Sequence, residues 1–160
     1  MTGQAGVKIR EAQVGDAEAA ALVMRRSIEK LCAADHRNDA EFLADWLRNK
    51  TAENVRGWIG ERDSATFVAA RAGRIVGFAM LDATGTVLLL YADPDAVGAG
   101  VGKGLLGAME QRARELGLDR LTLESTKTAR EWYERQGFRR LAVRDGQLSS
   151  ACLPLAKTLR

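Results

Sequence analysis

Cysteine and histidine are nearly absent: 160 residues contain 2 Cys and 1 His, and Cys32 and Cys152 stand 120 positions apart. That excludes a cysteine-and-histidine zinc site and a disulfide framework, and leaves His36 as the sole base on which a serine hydrolase triad could be built. With 2 prolines, 28% charged and 46% hydrophobic residues, the composition is that of a packed globular chain and not of a disordered one. Neither sign of charge dominates, because 24 Lys and Arg face 21 Asp and Glu for a formal charge of +3. No basic run marks a nucleic-acid or membrane surface, although mild basicity suits a small anionic ligand. Apolar runs such as residues 87–92 are far too short to span a bilayer, and residues 1–6 lack the charged start and apolar stretch of a signal peptide. The expectation is one domain over residues 1–160, cytoplasmic, with no metal and no nucleic-acid or membrane partner.

What is present is regular patterning. After a short alternating stretch at residues 7–11, Ala17, Ala21, Met24, Ile28 and Leu31 recur every three or four positions and predict a helix starting at Ala17. Asp39 and Thr51 are placed to cap two more helices, one carrying Phe42, Leu43, Trp46 and Leu47, the other Val55, Trp58 and Ile59. The period then shifts to strands at 66–71 and 74–81 around an Ala72-Gly73 hairpin turn, and at 86–92, where apolar residues on both faces predict a central strand. A helix over 100–116, a strand at 121–123, a helix over 128–136 and strands at 138–143 and 151–155 complete the pattern.

The segment between the buried strand and the next helix carries Gly98, Gly100, Gly102 and Gly104. The amides of Gly98, Ala99, Gly100, Val101 and Gly102 can converge where the positive end of the helix dipole also points, which suits a phosphate or pyrophosphate. A tight strand-to-helix turn alone would use the same glycines, but phosphate binding is the favoured reading. The dinucleotide pattern is excluded, because it needs glycine at Lys103 or Leu105. A P-loop would need glycine at Val97 and Ser or Thr at Gly104, so nucleotide hydrolysis is unsupported.

Residues Leu90-Tyr91-Ala92-Asp93-Pro94, followed by Gly98-x-Gly100-Val101-Gly102 and Leu105-Leu106, resemble the acyl-CoA loop of the GNAT superfamily of N-acyltransferases. Ala129-Arg130-Glu131-Trp132-Tyr133-Glu134-Arg135-Gln136-Gly137-Phe138 resembles a second motif of that superfamily, in the right order and at the right separation. The resemblance is strong over residues 86–138 and general over 64–85; the helical region 12–60 matches no motif. It implies a single α+β domain, with a central, mostly antiparallel twisted sheet of about six or seven strands flanked by helices and a splayed strand pair forming the CoA cleft.

By position, the resemblance assigns acetyl-CoA as cosubstrate. Val97, Gly98, Ala99, Gly100, Val101, Gly102 and Lys103 would form the pyrophosphate loop, and Tyr91 and Ala92 would pair with the pantetheine arm. A main-chain N–H at Ala92 or Tyr91 would polarise the acyl carbonyl. Tyr133 would protonate the departing thiolate, a fitting task for a phenol of ordinary pKa about 10. Ser125, Thr128 and Arg130 are further expected contacts, with Lys103, Lys127 or Arg130 answering the 3′-phosphate. Two departures stand out: Val97 and Ala99 occupy positions where the superfamily usually carries polar side chains, and Val87 to Leu90 lack its frequent glutamate.

For the acceptor side, His36 and Glu124 are base candidates, with Asp35 and Asp93 behind them. Asp35, Asp39, Glu41 and Asp45 could attract a cationic acceptor or simply serve as caps and exposed face. Trp46, Trp58 and Phe42 could line a pocket or belong to the core. The leading expectation is an N-acetyltransferase acting on a small primary amine in a ternary complex. The alternatives are acetylation of a protein lysine or N-terminus, and a non-catalytic acyl-CoA-binding module; a homodimer stays open.

Overall fold

The structure, a computed structural model, describes residues 6–141 and 153–159. Strand β1 (Lys8–Glu11) leads into α1 (Ala17–Leu31), α2 (Ala33–His36), α3 (Ala40–Leu47) and α4 (Ala52–Ile59). Then follow β2 (Ser64–Arg71), β3 (Arg74–Asp82), β4 (Val87–Ala92), α5 (Val101–Glu115), β5 (Arg120–Ser125), α6 (Arg130–Arg135), β6 (Arg139–Arg140) and β7 (Leu153–Thr158). The fold is mixed α+β, with two antiparallel sheets in the orders β1-β2-β3-β4 and β5-β7-β6. Positions 142–143 and 151–152 of the expected closing strands, and with them Cys152, lie outside the described residues.

Local chemistry explains the helical first third. Asp39 accepts the amides of Glu41 and Phe42 at 3.0 Å, and Thr51 accepts that of Asn54 at 3.2 Å, so both expected caps form. The sequence pattern does not predict α2, because a single turn is too short to display a period. The β2–β3 hairpin turns through Ala72 and Gly73 with φ of 50° and 77°, the twist that lets a two-residue loop join right-twisted strands.

Alternation along β2 and β3 then builds two cores. Phe67, Ala69 and Leu81 face Leu105, Leu106 and Met109 of α5, while Val68, Phe78 and Met80 face Ala17, Ala20 and Met24 of α1 and Val55 of α4. Leu31 departs from the expected α1 core stripe and is 37% exposed; Phe42 is 46% exposed.

The two sheets meet at one point. Asp82 accepts the Thr84 and Thr86 amides at 2.9 and 3.0 Å, fixing a tight turn before β4. Thr86 then forms a lone parallel bridge with Thr122 of β5, with hydroxyls 3.3 Å apart. Past this bridge β4 and β5 run in the same direction without a ladder between them among the described residues. Strand β4 was expected to be covered on both sides, but only Val87 is buried and Leu88 is 46% exposed, because the strand pairs along its length only with β3. The expected central strand is the last strand of its own sheet, and its open side is the splay.

Candidate functional site

A cavity of about 620 Å³ fills the splay. It runs from Val97, Gly98, Gly100, Val101, Gly102 and Lys103 at the start of α5, past β4, β5 and α6, to Ser27, Leu31, Cys32 and Trp46 on the α1–α3 side.

At the loop end, Gly100 caps α5 with φ 86° and ψ 14°, and Gly98 also has φ 86°; open space surrounds the position of a side chain at both. Both need the left-handed backbone that glycine tolerates. The first ladder bond of α5 is Gly104 N–H to the Gly100 carbonyl at 2.9 Å. The amides of Gly100, Val101, Gly102 and Lys103 are therefore the free donors of a helix start, and no acidic residue stands in its first turn. Ala99 is a correction: its amide donates to the Ala96 carbonyl at 3.1 Å, and the residue does not line the cavity. Behind the loop, Arg26 of α1 reaches Asp95 at 2.8 Å and Asp93 at 3.4 Å, neutralising two carboxylates that would repel an anion there.

The register of β4 settles which amides enter the splay. Asp93 N–H donates to the Val76 carbonyl at 2.8 Å, and Phe78 pairs with Tyr91 two steps along. Narrow and wide pairs alternate in an antiparallel ladder, so Tyr91 turns its main-chain groups to β3 while Leu90 and Ala92 turn theirs away, into the splay. Of the two amides left open by the sequence, Ala92 is the one so directed.

Tyr133 lies in the wall, 8% exposed. Its ring is held between Trp132 and Phe138, with centroids 5.0 and 5.4 Å away. Burial pushes its pKa up, and the neighbouring Tyr91 adds to the rise, so the phenol keeps its proton. Tyr91 itself accepts from Trp46 Nε1–H at 3.3 Å. Ser125, Thr128 and Glu124 line the cavity. Ser125 donates to the Thr126 carbonyl at 2.8 Å. Cys32, also in the wall, has its thiol pushed up to about 12 by burial and the Asp35 charge.

Two candidates fall away on geometry. His36 is 2% exposed; its Nε2–H donates to the Ile28 carbonyl at 3.0 Å and its Nδ1 accepts the Asn38 amide at 3.0 Å. With both nitrogens engaged, and outside the cavity lining, it packs the α1–α3 junction and has no nitrogen left to act as a base. Arg130 pairs with Glu134 on its own helix at 2.9 Å and does not line the cavity. Asp35 instead accepts the amide and hydroxyl of Thr128, joining α2 to the β5–α6 connection. This strap, the Trp46–Tyr91 contact and the Arg26 brace join residues 93, 45 and 69 positions apart. No local pattern in the sequence announces such pairs.

Known proteins resemble this chain in sequence and in fold. The mycothiol acetyltransferase of Thermomonospora curvata is 32% identical over 145 residues, 86% of this chain and 46% of that protein. The amino-acid acetyltransferase of Ralstonia nicotianae is 38% identical over 91 residues, 53% of this chain and 20% of that protein. The chain thus spans half or less of the length of these curated relatives. A crystal structure of a GCN5-related N-acetyltransferase from Rhodopseudomonas palustris superposes with a TM-score of 0.81 at 26% identity, covering 99% of both chains. The PaiA N-acetyltransferase of Thermoplasma acidophilum, solved with coenzyme A, has the same fold with a TM-score of 0.80 at 19% identity, covering 96% of this chain and 99% of that one. The family model of the acetyltransferase (GNAT) domain matches residues 29–149, a span holding the glycine loop, the splay and Tyr133, and the chain belongs to the GNAT acetyltransferase family.

Proposed function

We propose that this chain transfers the acetyl group of acetyl-CoA to a primary amine of a small molecule, by direct attack in a ternary complex. The observation that carries this reading is the continuity of the cavity, which Gly100 to Lys103 at the helix start, Ala92, Tyr133 and an acceptor-side wall all line. The free amides at Gly100 to Lys103 hold the pyrophosphate, and Lys103 adds a positive charge beside it. Leu90 and Ala92 pair with the pantetheine arm, and Ala92 N–H stabilises the oxygen that becomes negative in the tetrahedral intermediate.

The neutral amine nitrogen attacks the acetyl carbonyl carbon, forming the C–N bond. The nitrogen loses its proton toward Glu124, the carboxylate that lines the cavity among the described residues. Collapse breaks the C–S bond, and the thiolate takes the proton of Tyr133. The transfer moves the negative charge to the Tyr133 oxygen, where burial makes it costly, so the phenolate must regain a proton, and the one lost by the amine to Glu124 balances it. Relatives named for mycothiol and for amino acids support a small acceptor.

Tyr133→Phe tests the reading, because it removes the hydroxyl and keeps the ring. The expected result is a fall in kcat of about 10²–10⁴, the range for positioned proton transfer, with acetyl-CoA affinity and melting temperature nearly unchanged. A rate within about threefold of the parent where chemistry limits turnover would remove Tyr133 from the mechanism and favour an acyl-CoA-binding module.

A further inference from the structure

The helices on the acceptor side contribute Ser27, Leu31, Cys32 and Trp46 to the cavity, none of them charged. The acidic residues of that region do not line the cavity, and Glu41 is exposed. Asp35 holds Thr128, Asp39 caps α3, and Asp45 pairs with Arg48 on the exposed helix face. Glu124 is the one carboxylate lining the cavity among the described residues. A second ammonium on the acceptor would find Glu124 as its one carboxylate partner along the lining, and that pairing would occupy the group that must take the proton of the attacking nitrogen. A carboxylate on the acceptor would meet Glu124 as a like charge.

The apolar wall is also pre-set. Trp46 is tied through Nε1–H to Tyr91, and its ring meets His36 and Phe42 edge-on, with centroids 6.3 and 6.1 Å away. His36, unused by the chemistry, thereby acquires a role in orienting the indole. A ring held this way offers contact area without losing side-chain freedom on binding.

Resting on the transfer reading above, we infer that the acceptor is a monoamine on an uncharged apolar or aromatic body, with Trp46 as a specificity-determining residue. The test is thiol release from acetyl-CoA with propylamine, butylamine, pentylamine and 2-phenylethylamine, set against putrescine and spermidine, and with isopentylamine set against leucine, its carboxylated counterpart. The parent protein should show kcat/KM rising about fourfold per added methylene, as burial of each CH₂ implies. Both polyamines should fall at least about a hundredfold below pentylamine, and leucine should fall equally far below isopentylamine.

Trp46→Ala should flatten the series without changing acetyl-CoA affinity by calorimetry, and Trp46→Phe should keep part of the slope. A flat series in the parent protein, or putrescine or leucine matching its uncharged counterpart, overturns the inference and leaves acetyl transfer standing. Bound acetyl-CoA with no thiol release for any amine overturns the transfer reading, and this inference with it. The parent series decides the matter even if both Trp46 variants fail to fold.

Discussion

Adding one methyl group to Gly77, far from any reacting atom, should damage both folding and acetyl-CoA binding. Gly77 sits in β3 opposite Ala92, beneath the start of α5. A Cβ at Gly77 would stand 2.5 Å from Val101 Cγ1, 2.9 Å from Leu105 Cδ1 and 3.2 Å from Ala69 Cβ. Carbon atoms rest at about 3.5–4.0 Å, so the shortfall at Val101 is about 1 Å. Leu105 can turn its side-chain end aside, but Val101 is β-branched and has little rotamer choice in a helix. The relief available is for α5 to lift from the sheet, and Val101 is its first residue. Overpacking of this kind costs about 1–3 kcal/mol, a fall in Tm of about 2–12 °C at roughly 2–4 °C per kcal/mol. The same lift carries the Gly100 to Lys103 amides away from the pyrophosphate. Losing one hydrogen bond to a charged group costs about 1.5–3 kcal/mol, or roughly tenfold to 150-fold in affinity. Thermal melts and calorimetry with acetyl-CoA measure both. Val101→Ala removes the clashing methyl, so the double variant Gly77→Ala/Val101→Ala should recover part of each loss, with a coupling above about 0.5 kcal/mol. Unchanged Tm and Kd in Gly77→Ala, or strictly additive losses in the pair, would refute the claim that α5 rests on this glycine.

Three further outcomes follow from the same structure. Gly107 in α5 has open space about its missing side chain, so Gly107→Ala should stabilise the protein by about 0.5–1 kcal/mol; a lower Tm would contradict the packing. Burial acts to raise the pKa of Asp82, but its hydrogen bonds from the Thr84 hydroxyl and from the Thr86, Thr84 and Gly85 amides leave it lowered. Asp82→Ala should therefore cost about 1–2 kcal/mol at pH 7, a penalty present above the unfolded carboxylate pKa and vanishing as pH falls through the lower folded one. A penalty independent of pH in urea melts between pH 7 and 3 would refute the assignment. With Cys32 at about 12, the thiolate fraction at pH 8 is about 10⁻⁴. In a Cys152→Ser background, alkylation of Cys32 by iodoacetamide should then rise tenfold per pH unit from 7 to 9, and a plateau below pH 9 would show an activated thiol.

Sequence patterns revealed those parts of the protein whose cause is local. Caps at Asp39 and Thr51, the Ala72-Gly73 turn and the helix start at Gly100 each depend on a few neighbouring residues, and each stands where the pattern placed it. The two glycine functions in the loop were merged in the sequence and are separate in space. Gly98 and Gly100 serve backbone conformation, whereas a Cβ at Gly102 would press within 3.0 Å of Trp132 and one at Gly104 within 2.9 Å of Ile9. His36 shows the opposite failure: a lone histidine carries no sign of whether its nitrogens face a ligand or the protein, and only the Ile28 and Asn38 contacts decide it. A glycine-rich segment does not disclose which amides its own turn consumes, and the Ala99 amide is one that it does.

Helix α5 holds Gly102, Gly104 and Gly107 within its first two turns, a composition that forms helix poorly alone. Its opening turn persists because it is docked against Ile9, Gly77 and Trp132, so the row of donors is a property of tertiary contact more than of local propensity. Undocking and loss of the donors are then one thermodynamic event, and any anion seated there draws on the same equilibrium. Acetyl-CoA should slow amide hydrogen exchange along the whole of α5, and on the facing residues of β3, beyond the amides it touches. The cosubstrate would thereby serve as a structural element of the helix that receives it.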